Sequence, residues 1–357
     1  MSESTQLSIP KAVLYVDSDH AWSIAEEKGY GSDEISVKFV DLSKGESYAP
    51  TFLRLNPLGT LPTLIVPFEN TLAPDTEARY KAVTDVETII TTLDRSRSAT
   101  SRTRTTSSAP SPSLSPATIE LSSLARTIIQ LLHSGPASPE LLFFMNARND
   151  AELKGVAATV RPFLEGRKEA LDGFLSQNAT NEVRASQKTR KFWEDKKEAA
   201  ERLLAVFVTA DKSEAELDET DKKVRAEYYE NSKAAWEVGL GLVLTKLSAE
   251  MRGPFALGDQ FSIADVHLSG WLRYVVKLAG GSGGDSGADA IGKLEGHVGG
   301  GFALPRISNS AAGTSAQATA AGPETTTPKA SDEKAPTTTK LEAFWDNVKE
   351  RGSWKAM

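Results

Sequence analysis

Three residues with the means to do chemistry stand close together near the start of the chain, namely Asp17, Ser18 and His20. A carboxylate, a hydroxyl and an imidazole are the components of a hydrolytic triad, in which the imidazole activates the hydroxyl. A triad needs side chains that face one another from separate positions, and neighbours in one tight turn rarely reach that geometry. Hydrolysis is therefore not favoured, and Ser18 is also open to a turn or capping role.

The residue counts exclude several other kinds of site. The chain of 357 residues contains no cysteine, so disulfides, thiolate metal sites and cysteine nucleophiles are excluded. Its four histidines are scattered without the spacing of metal ligands, and no metal site is predicted. They are His20, His133, His267 and His297.

The overall charge argues against nucleic acid as a partner. Lys and Arg total 41 against 48 for Asp and Glu, which gives a net charge of −7. Phosphate contact needs an excess of basic residues. The apolar run 12–16 is too short for a signal peptide, and no stretch approaches the ~20 apolar residues that span a bilayer. We therefore expect a cytoplasmic protein that binds neither nucleic acid nor membrane.

The first part of the chain alternates between strand and helix patterns. Apolar or alternating runs predict strands, and a polar-apolar run that ends at Gly29 predicts a helix. The predicted strands are 12–16, 35–42, the end of 56–67, and 78–83; the predicted helices are 21–28 and 85–95. This order, β-α-β-loop-β-β-α, suits a small α/β domain.

Residues 94–116 differ in composition from both sides. They are rich in Ser, Thr, Arg and Pro and carry almost no apolar side chains, so we interpret residues 96–116 as a linker. The arginines of this stretch could also meet an acidic partner or a phosphate. They are Arg95, Arg97, Arg102 and Arg104.

Beyond residue 115 the apolar spacing is helical throughout, and no strand pattern of similar quality follows. The charged stretch 184–202 is expected to form a helix surrounded mostly by water. Residues 280–289 and 308–339 look flexible or disordered by composition. A last helix near 341–350 carries Leu, Phe, Trp and Val on one face, so the tail should dock onto the core.

Three segments carry sequence features that matter for the fold. Asn56–Leu64 (NPLGTLPTL) is a turn-rich loop that leads through Pro62 into a strand. Ser262 and Asp265 have the spacing of a capping box, in which each side chain bonds the other residue's backbone N–H, and Phe261 and Val266 fit a hydrophobic staple. The third segment is the apolar helix and turn at 341–355.

In this order the three segments resemble the glutathione transferase family, most of all its enlarged fungal members. The resemblance covers residues 11–95, 115–280 and the tail. It implies a thioredoxin-like α/β domain at 1–95 that binds glutathione, a linker at 96–116, and an all-helical domain at 117–357 with a flexible insertion at 280–340.

The resemblance also implies a glutathione site. The loop would place Leu61 before a cis-proline, Pro62, where the Leu61 backbone can bond the cysteinyl part of glutathione. Asp85 would bind the γ-glutamyl group, and Thr60 stands at a further contact position. An ordinary proline turn is the alternative for this loop. Glutathione is thus expected as co-substrate, without a metal.

Family members activate the glutathione thiol, which otherwise titrates near ~8.5, by a hydroxyl and the positive end of the first helix. Without cysteine, a hydroxyl must serve here. The candidates are Tyr15, Ser18 and Ser23, and we favour Ser18 as the catalytic residue because it falls between strand and helix.

The sequence departs from the family at two points of this site. The first helix is short, so both the activating residue and the helix dipole are in question. After Asp85 the family has Ser or Thr, and Val86 cannot supply that hydroxyl. A hydrogen bond to a charged group contributes roughly 1.5–3 kcal/mol.

Two functions are compatible with these residues. The first is a transferase that joins glutathione to a hydrophobic electrophile, an apolar small molecule, in a role of detoxification. The second is a glutathione-transferase fold that binds or scaffolds without turnover, as the short helix and Val86 would suit. Family members are often homodimers, which is the expected assembly for either function.

Overall fold

The computed structural model describes residues 11–17, 23–67, 80–98, 107–308 and 337–356. The first part is a four-stranded sheet in the order β2-β1-β3-β4. Its strands are β1 (Ala12–Val16), β2 (Ile35–Phe39), β3 (Thr63–Pro67) and β4 (Tyr80–Val83). Strand β2 runs parallel to β1, whereas β3 is antiparallel to both β1 and β4.

Helices cover both faces of this sheet. They are α1 (Ser23–Glu27), α2 (Pro50–Leu53) and α3 (Val86–Ser96). Since successive side chains of a strand point to opposite faces, Leu14 lies in one core cluster with Ile24 of α1 and Ile89 of α3. Tyr15 faces the other side and meets Phe52 of α2, with the ring centroids 5.6 Å apart. The predicted thioredoxin-like domain is confirmed by this strand order and by this layering.

Helices make up nearly all of the second part. They are α4 (Ile119–Leu132), α5 (Pro139–Phe144), α6 (Asp150–Ala179), α7 (Gln187–Val208), α8 (Glu219–Lys233), α9 (Gly241–Glu250), α10 (Ile263–Leu278), α11 (Gly287–Val298), α12 (Lys340–Lys349) and α13 (Gly352–Ala356). A π-helical segment, Ala234–Leu240, joins α8 to α9. The expected helical domain is therefore present.

The central helix of this part is α10, and the predicted capping box begins it. The Ser262 N–H and hydroxyl both donate to Oδ2 of Asp265, at 2.8 and 2.6 Å, and the Ala256 N–H donates to Oδ1 at 2.6 Å. Asp265 is fully buried, and that burial raises its pKa to about 6. Its role is structural, as the sequence predicts.

The long hairpin of α6 and α7 packs against the first domain. Trp193 of α7 is fully buried, stacks on Phe174 of α6, and donates from Nε1 to the Tyr48 carbonyl at 2.9 Å. The charge of residues 184–202 suggested a helix mostly in water. Most of these residues are exposed, as expected, and Trp193 lies on the one face that is buried.

Residues 107–116, within the predicted linker, are held by polar contacts. The carboxylate of Asp94 accepts hydrogen bonds from Lys28 Nζ (3.0 Å) and from the backbone N–H groups of Leu114 (3.0 Å) and Ser115 (3.1 Å). Both charged side chains are buried. The linker was predicted from its lack of apolar side chains, which does not reveal polar contacts of this kind. The domain boundaries themselves stay predictions.

Part of the segment predicted to be flexible at 280–340 is regular. Helix α11 buries Ile291, Leu294 and Val298, and β5 (Arg306–Ser308) pairs with β6 (Thr337–Thr339) as a short antiparallel ribbon. The sequence predicted no strand here. Residues 309–336 lie outside the described part. Among the described helices, none combines the length and the apolar character that crossing a membrane requires.

Candidate functional site

The strand register brings three chain segments to one edge of the sheet. Tyr15 pairs with Thr63, and Leu64 pairs with Val83. The end of β1, the start of β3 and the end of β4 therefore meet. Asp17 follows β1, Pro62 precedes β3, and Asp85 lies two residues after the end of β4. The predicted catalytic Ser18, and His20, lie outside the described residues.

The loop before β3 is organised by Asn56. This buried side chain donates from Nδ2 to the Thr60 carbonyl (2.8 Å), the Thr60 hydroxyl (3.0 Å) and the Thr63 hydroxyl (3.1 Å). Its Oδ1 accepts from the Leu58 N–H at 3.0 Å. The turn also needs Gly59, whose φ is 63°. These bonds fix the backbone that leads to Leu61.

Leu61 and Thr60 differ in whether their polar groups are free to bind a ligand. The Leu61–Pro62 peptide bond is cis, and in the described part of the chain the Leu61 N–H has no hydrogen-bond partner. A backbone donor that is left unpaired at an edge can bond a peptide. The Thr60 hydroxyl and carbonyl, in contrast, already accept bonds within the loop.

Asp85 is the N-cap of α3. Its Oδ2 accepts from the Thr88 N–H and from the Thr88 hydroxyl, each at 2.7 Å. Within the described residues, Oδ1 has no partner. The hydrogen bond from the Thr88 hydroxyl has the largest effect on the pKa of Asp85 and lowers it. Burial raises this pKa to a smaller extent, and the nearby His133 and His267 lower it further. The site therefore presents an ionised carboxylate with one free oxygen.

Thr88 was not singled out from the sequence, where only position 86 was compared with the family. The signal was available, because the third residue after an N-cap is the one whose N–H the cap accepts. A hydroxyl does lie beside Asp85, as the family pattern has it, but it comes from Thr88 and its proton is already given to the carboxylate.

Among the candidate hydroxyls of Tyr15, Ser18 and Ser23, the structure describes that of Tyr15. Its ring lies edge-on to Phe52, and Lys38 Nζ lies 5.6 Å from the ring centroid. Tyr15 lies in β1, and its contact with Phe52 shows that its side chain faces the side of the sheet that α2 covers. The described part of α1 begins at Ser23, directly after residues outside the described part, and ends at Glu27, so the short first helix stays a prediction.

Two histidines that the sequence left unconnected form a hydrogen bond beside Asp85. His133 caps the end of α4, His267 lies in α10, and Nε2 of the first is 2.8 Å from Nδ1 of the second. Burial lowers the pKa of His267 to about 3 and also lowers that of His133, while Asp85 acts in the opposite direction on both. Because 134 residues separate them, no local spacing could show this pair.

The described side chains around this histidine pair do not form a metal site. Among the described residues, no group of three or more His, Asp or Glu side chains could hold a metal ion. A cleft of about 570 Å³ lies elsewhere, between α1, residues 109–112 and the helices α12 and α13. Glu27, Arg351 and Ser353 line part of it, and these polar groups do not suit an apolar substrate.

The comparisons with known proteins concern shape alone. No family model and no curated protein matches the chain. Similar solved structures include a glutathione transferase homologue from Sulfitobacter with bound glutathione, which is 14% identical with a TM-score of 0.40 and covers 97% of this chain and 96% of that one. Others are a beta-etherase from Sphingobium sp. (14%, 0.44, 97% and 98%) and a glutathione transferase from Populus trichocarpa (13%, 0.40, 97% and 96%).

The solved structures that the chain is similar to thus include glutathione transferases, the family that its motifs resemble. Identity and TM-score are low in every case. The fold assignment therefore rests on the chain's own strand order, register and capping box.

Proposed function

We propose that the sheet edge formed by Leu61 and Asp85 binds glutathione. The observation that carries the proposal is the register, which sets an unpaired backbone N–H of Leu61 and an ionised carboxylate of Asp85 at the same edge. Glutathione has a peptide backbone at its cysteinyl residue and a cationic amine at its γ-glutamyl end. The cysteinyl backbone can accept a hydrogen bond from the Leu61 N–H, and the amine can pair with the Asp85 carboxylate.

The reaction proposed is transfer of glutathione to a hydrophobic electrophile through a hydroxyl-stabilised thiolate. The chain has no cysteine, so the thiol of glutathione itself must be the nucleophile. The first helix predicted from the sequence, 21–28, is short and offers only a weak dipole, so a hydroxyl has to contribute more. Ser18 is the favoured donor because its position in the sequence falls between the first strand and the first helix, and Tyr15 and Ser23 are the alternatives.

The short first helix predicted from the sequence, 21–28, also favours the second candidate, a binding or scaffold protein without turnover. A short helix gives little thiolate stabilisation, whereas the Leu61 and Asp85 contacts would still bind the tripeptide. An apolar co-substrate and detoxification in the cytoplasm are proposals from the sequence that belong to the first candidate. A homodimer is a proposal from the sequence for either candidate, and sedimentation velocity tests it.

Binding and turnover are tested separately. Calorimetry with glutathione up to millimolar concentration tests binding, and absence of heat together with no retention on immobilised glutathione would refute the proposal. Conjugation of a chlorodinitrobenzene-type electrophile then separates the two functions. With Ser18 as donor, Ser18→Ala abolishes turnover but keeps binding, while the matched hydroxyl deletion Tyr15→Phe keeps both; the reverse pattern assigns the role to Tyr15.

A further inference from the structure

The direction of the hydrogen bond between His133 and His267 can be assigned. Nε2 of His133 bonds Nδ1 of His267 at 2.8 Å, and the rings meet edge to face with centroids 4.9 Å apart. His267 is 6% exposed, and its other nitrogen, Nε2, is buried without a hydrogen-bond partner. Each neutral ring carries one proton, so the position of that proton on His267 decides the role of His133.

The unpartnered Nε2 of His267 favours one tautomer. A buried N–H without an acceptor is rarer and costlier than a buried acceptor without a donor. The proton of His267 therefore belongs on Nδ1, from which it is donated to Nε2 of His133. The neutral His133 ring must then carry its own proton on Nδ1. In the described part of the chain this Nδ1–H has no partner.

Helix packing brings His133 towards the start of α3. Helix α10, which carries His267, packs against both α3 and α4. Burial lowers the pKa of His133, and the charges of Asp85 and Glu87 oppose that effect. No hydrogen bond or ion pair joins Asp85 to His133. Within the described residues, Asp85 thus has a carboxylate oxygen without a partner and His133 an Nδ1–H without a partner.

We propose that His133, from the helical domain, donates its Nδ1–H to the α-carboxylate of the γ-glutamyl group while Asp85 accepts from the α-amine. His267 acts through His133 and is a positioning residue, because its hydrogen bond fixes the donor tautomer. The inference rests on the proposed glutathione site and adds the group that recognises the second half of the amino-acid head.

The side-chain donors at the start of α3 are already used or missing. Val86 has no hydroxyl, and the Thr88 hydroxyl donates to Asp85. The backbone N–H groups of Val86 and Glu87, which have no hydrogen-bond partner in the described part of the chain, remain as donors at the start of α3. A neutral N–H from His133 would add a side-chain donor to these backbone groups without adding a charge.

The test compares two ligands on three proteins by calorimetry. The ligands are S-methylglutathione, which removes thiol titration, and the same compound with its glutamyl α-carboxylate converted to an amide. The proteins are the wild type, His133→Phe, and Glu87→Gln as a control at an exposed neighbour. We expect the wild type and Glu87→Gln to prefer the carboxylate by at least tenfold, and His133→Phe to lose most of that preference.

Equal preference in the wild type and His133→Phe would overturn the inference but leave the glutathione site standing. No binding of S-methylglutathione by the wild type would refute the proposed function itself. If His133→Phe does not fold, His133→Phe/His267→Phe replaces both partners by an apolar aromatic pair and serves instead, since removing both partners avoids an orphaned donor.

A spectroscopic readout isolates the part played by His267. Nitrogen-15 shifts of the His133 ring distinguish Nδ1–H from Nε2–H. We expect the Nδ1–H form in the wild type and its loss in His267→Phe. An Nε2–H form of His133 in the wild type would contradict the assigned direction of the bond.

Discussion

Arg351 and Glu27 are 324 residues apart and form an ion pair with two hydrogen bonds. Nε of Arg351 lies 2.8 Å from Oε1 of Glu27, and the Ser353 hydroxyl donates to the same oxygen. The Arg351 guanidinium also lies 4.0 Å from the centroid of the Phe261 ring. The end of the chain therefore holds α1, the helix that follows the proposed catalytic loop.

Removing Arg351 should destabilise the protein markedly. The Glu27 side chain is only 6% exposed, so Arg351→Met leaves a nearly buried carboxylate with one hydroxyl as donor. Since Arg351 itself is partly reached by water, we expect a loss of about 2–3 kcal/mol in the free energy of unfolding. Urea denaturation measures it. The control Lys355→Met breaks the exposed pair with Glu350 and should change stability by less than about 0.5 kcal/mol; equal losses would contradict this account.

Asp94→Ala should loosen residues 107–116. It removes the acceptor of the Leu114 and Ser115 N–H groups and leaves the buried ammonium of Lys28 with only the Pro112 carbonyl. The expected cost is about 3–5 kcal/mol in the free energy of unfolding. Hydrogen exchange of the Leu114 and Ser115 amides should accelerate in the variant under native conditions.

A matched carboxylate controls for the charge change at Asp94. Asp172 lies at the surface of α6 and pairs with Lys168 and Lys197. Asp172→Ala should cost no more than about 1 kcal/mol and leave the two amides protected. Protection of both amides in Asp94→Ala would show that these residues are held by other contacts.

Two glycine substitutions should have opposite signs. Gly59 has a φ of 63°, and a Cβ there would lie 2.9 Å from the Tyr48 ring. Gly59→Ala should therefore lower stability by about 2 kcal/mol and weaken glutathione binding, because the loop that presents Leu61 shifts. Gly173 lies within α6 with open space around it, and Gly173→Ala should add about 0.5–1 kcal/mol without altering binding. Thermal unfolding and calorimetry check both.

Stability should fall on acidification through His297. Burial lowers the pKa of His297 to about 4, helped by Arg148 and opposed by Glu152, whereas the unfolded value is ~6.5. Below pH ~6.5 the unfolded chain binds a proton that the native state refuses, so this stabilisation is lost as pH falls from ~6.5 to about 4. The slope of stability with pH measures that difference in bound protons.

His297→Gln isolates this effect, because the amide can still donate to the Asn146 Oδ1, which lies 2.6 Å from His297 Nε2. The slope between pH 6 and pH 4.5 should decrease by about 1 kcal/mol per pH unit in the variant. Asp265 has a raised pKa and acts in the opposite direction, but it is present in both proteins and cancels. An unchanged slope would mean that His297 is protonated in the folded protein.

Features that depend on neighbouring residues could be predicted from the sequence. The alternation in β2 marks a strand, and Ser262 and Asp265 stand at the spacing of a capping box, which the structure contains. The loop before β3 is a local motif, whereas Asp85 was assigned from the family resemblance. Their joint placement at one edge needed the register of β1, β3 and β4.

Features that depend on distant residues could not be predicted. His133 and His267 meet because α4 and α10 pack together, and Trp193 is buried because the hairpin of α6 and α7 lies against Tyr48. Asp94 orders residues 107–116 through backbone bonds that composition does not reveal. Each of these contacts is set by packing between elements rather than by a local pattern.

The most direct test of the proposed site is calorimetric titration of the wild type, Asp85→Asn and Asp218→Asn with glutathione. Asparagine caps a helix as well as aspartate does, so both variants should keep their folds, and Asp218 caps α8. We predict that Asp85→Asn weakens binding by at least tenfold, while Asp218→Asn binds as the wild type does. Equal affinity of all three proteins would contradict the assignment of glutathione to this edge.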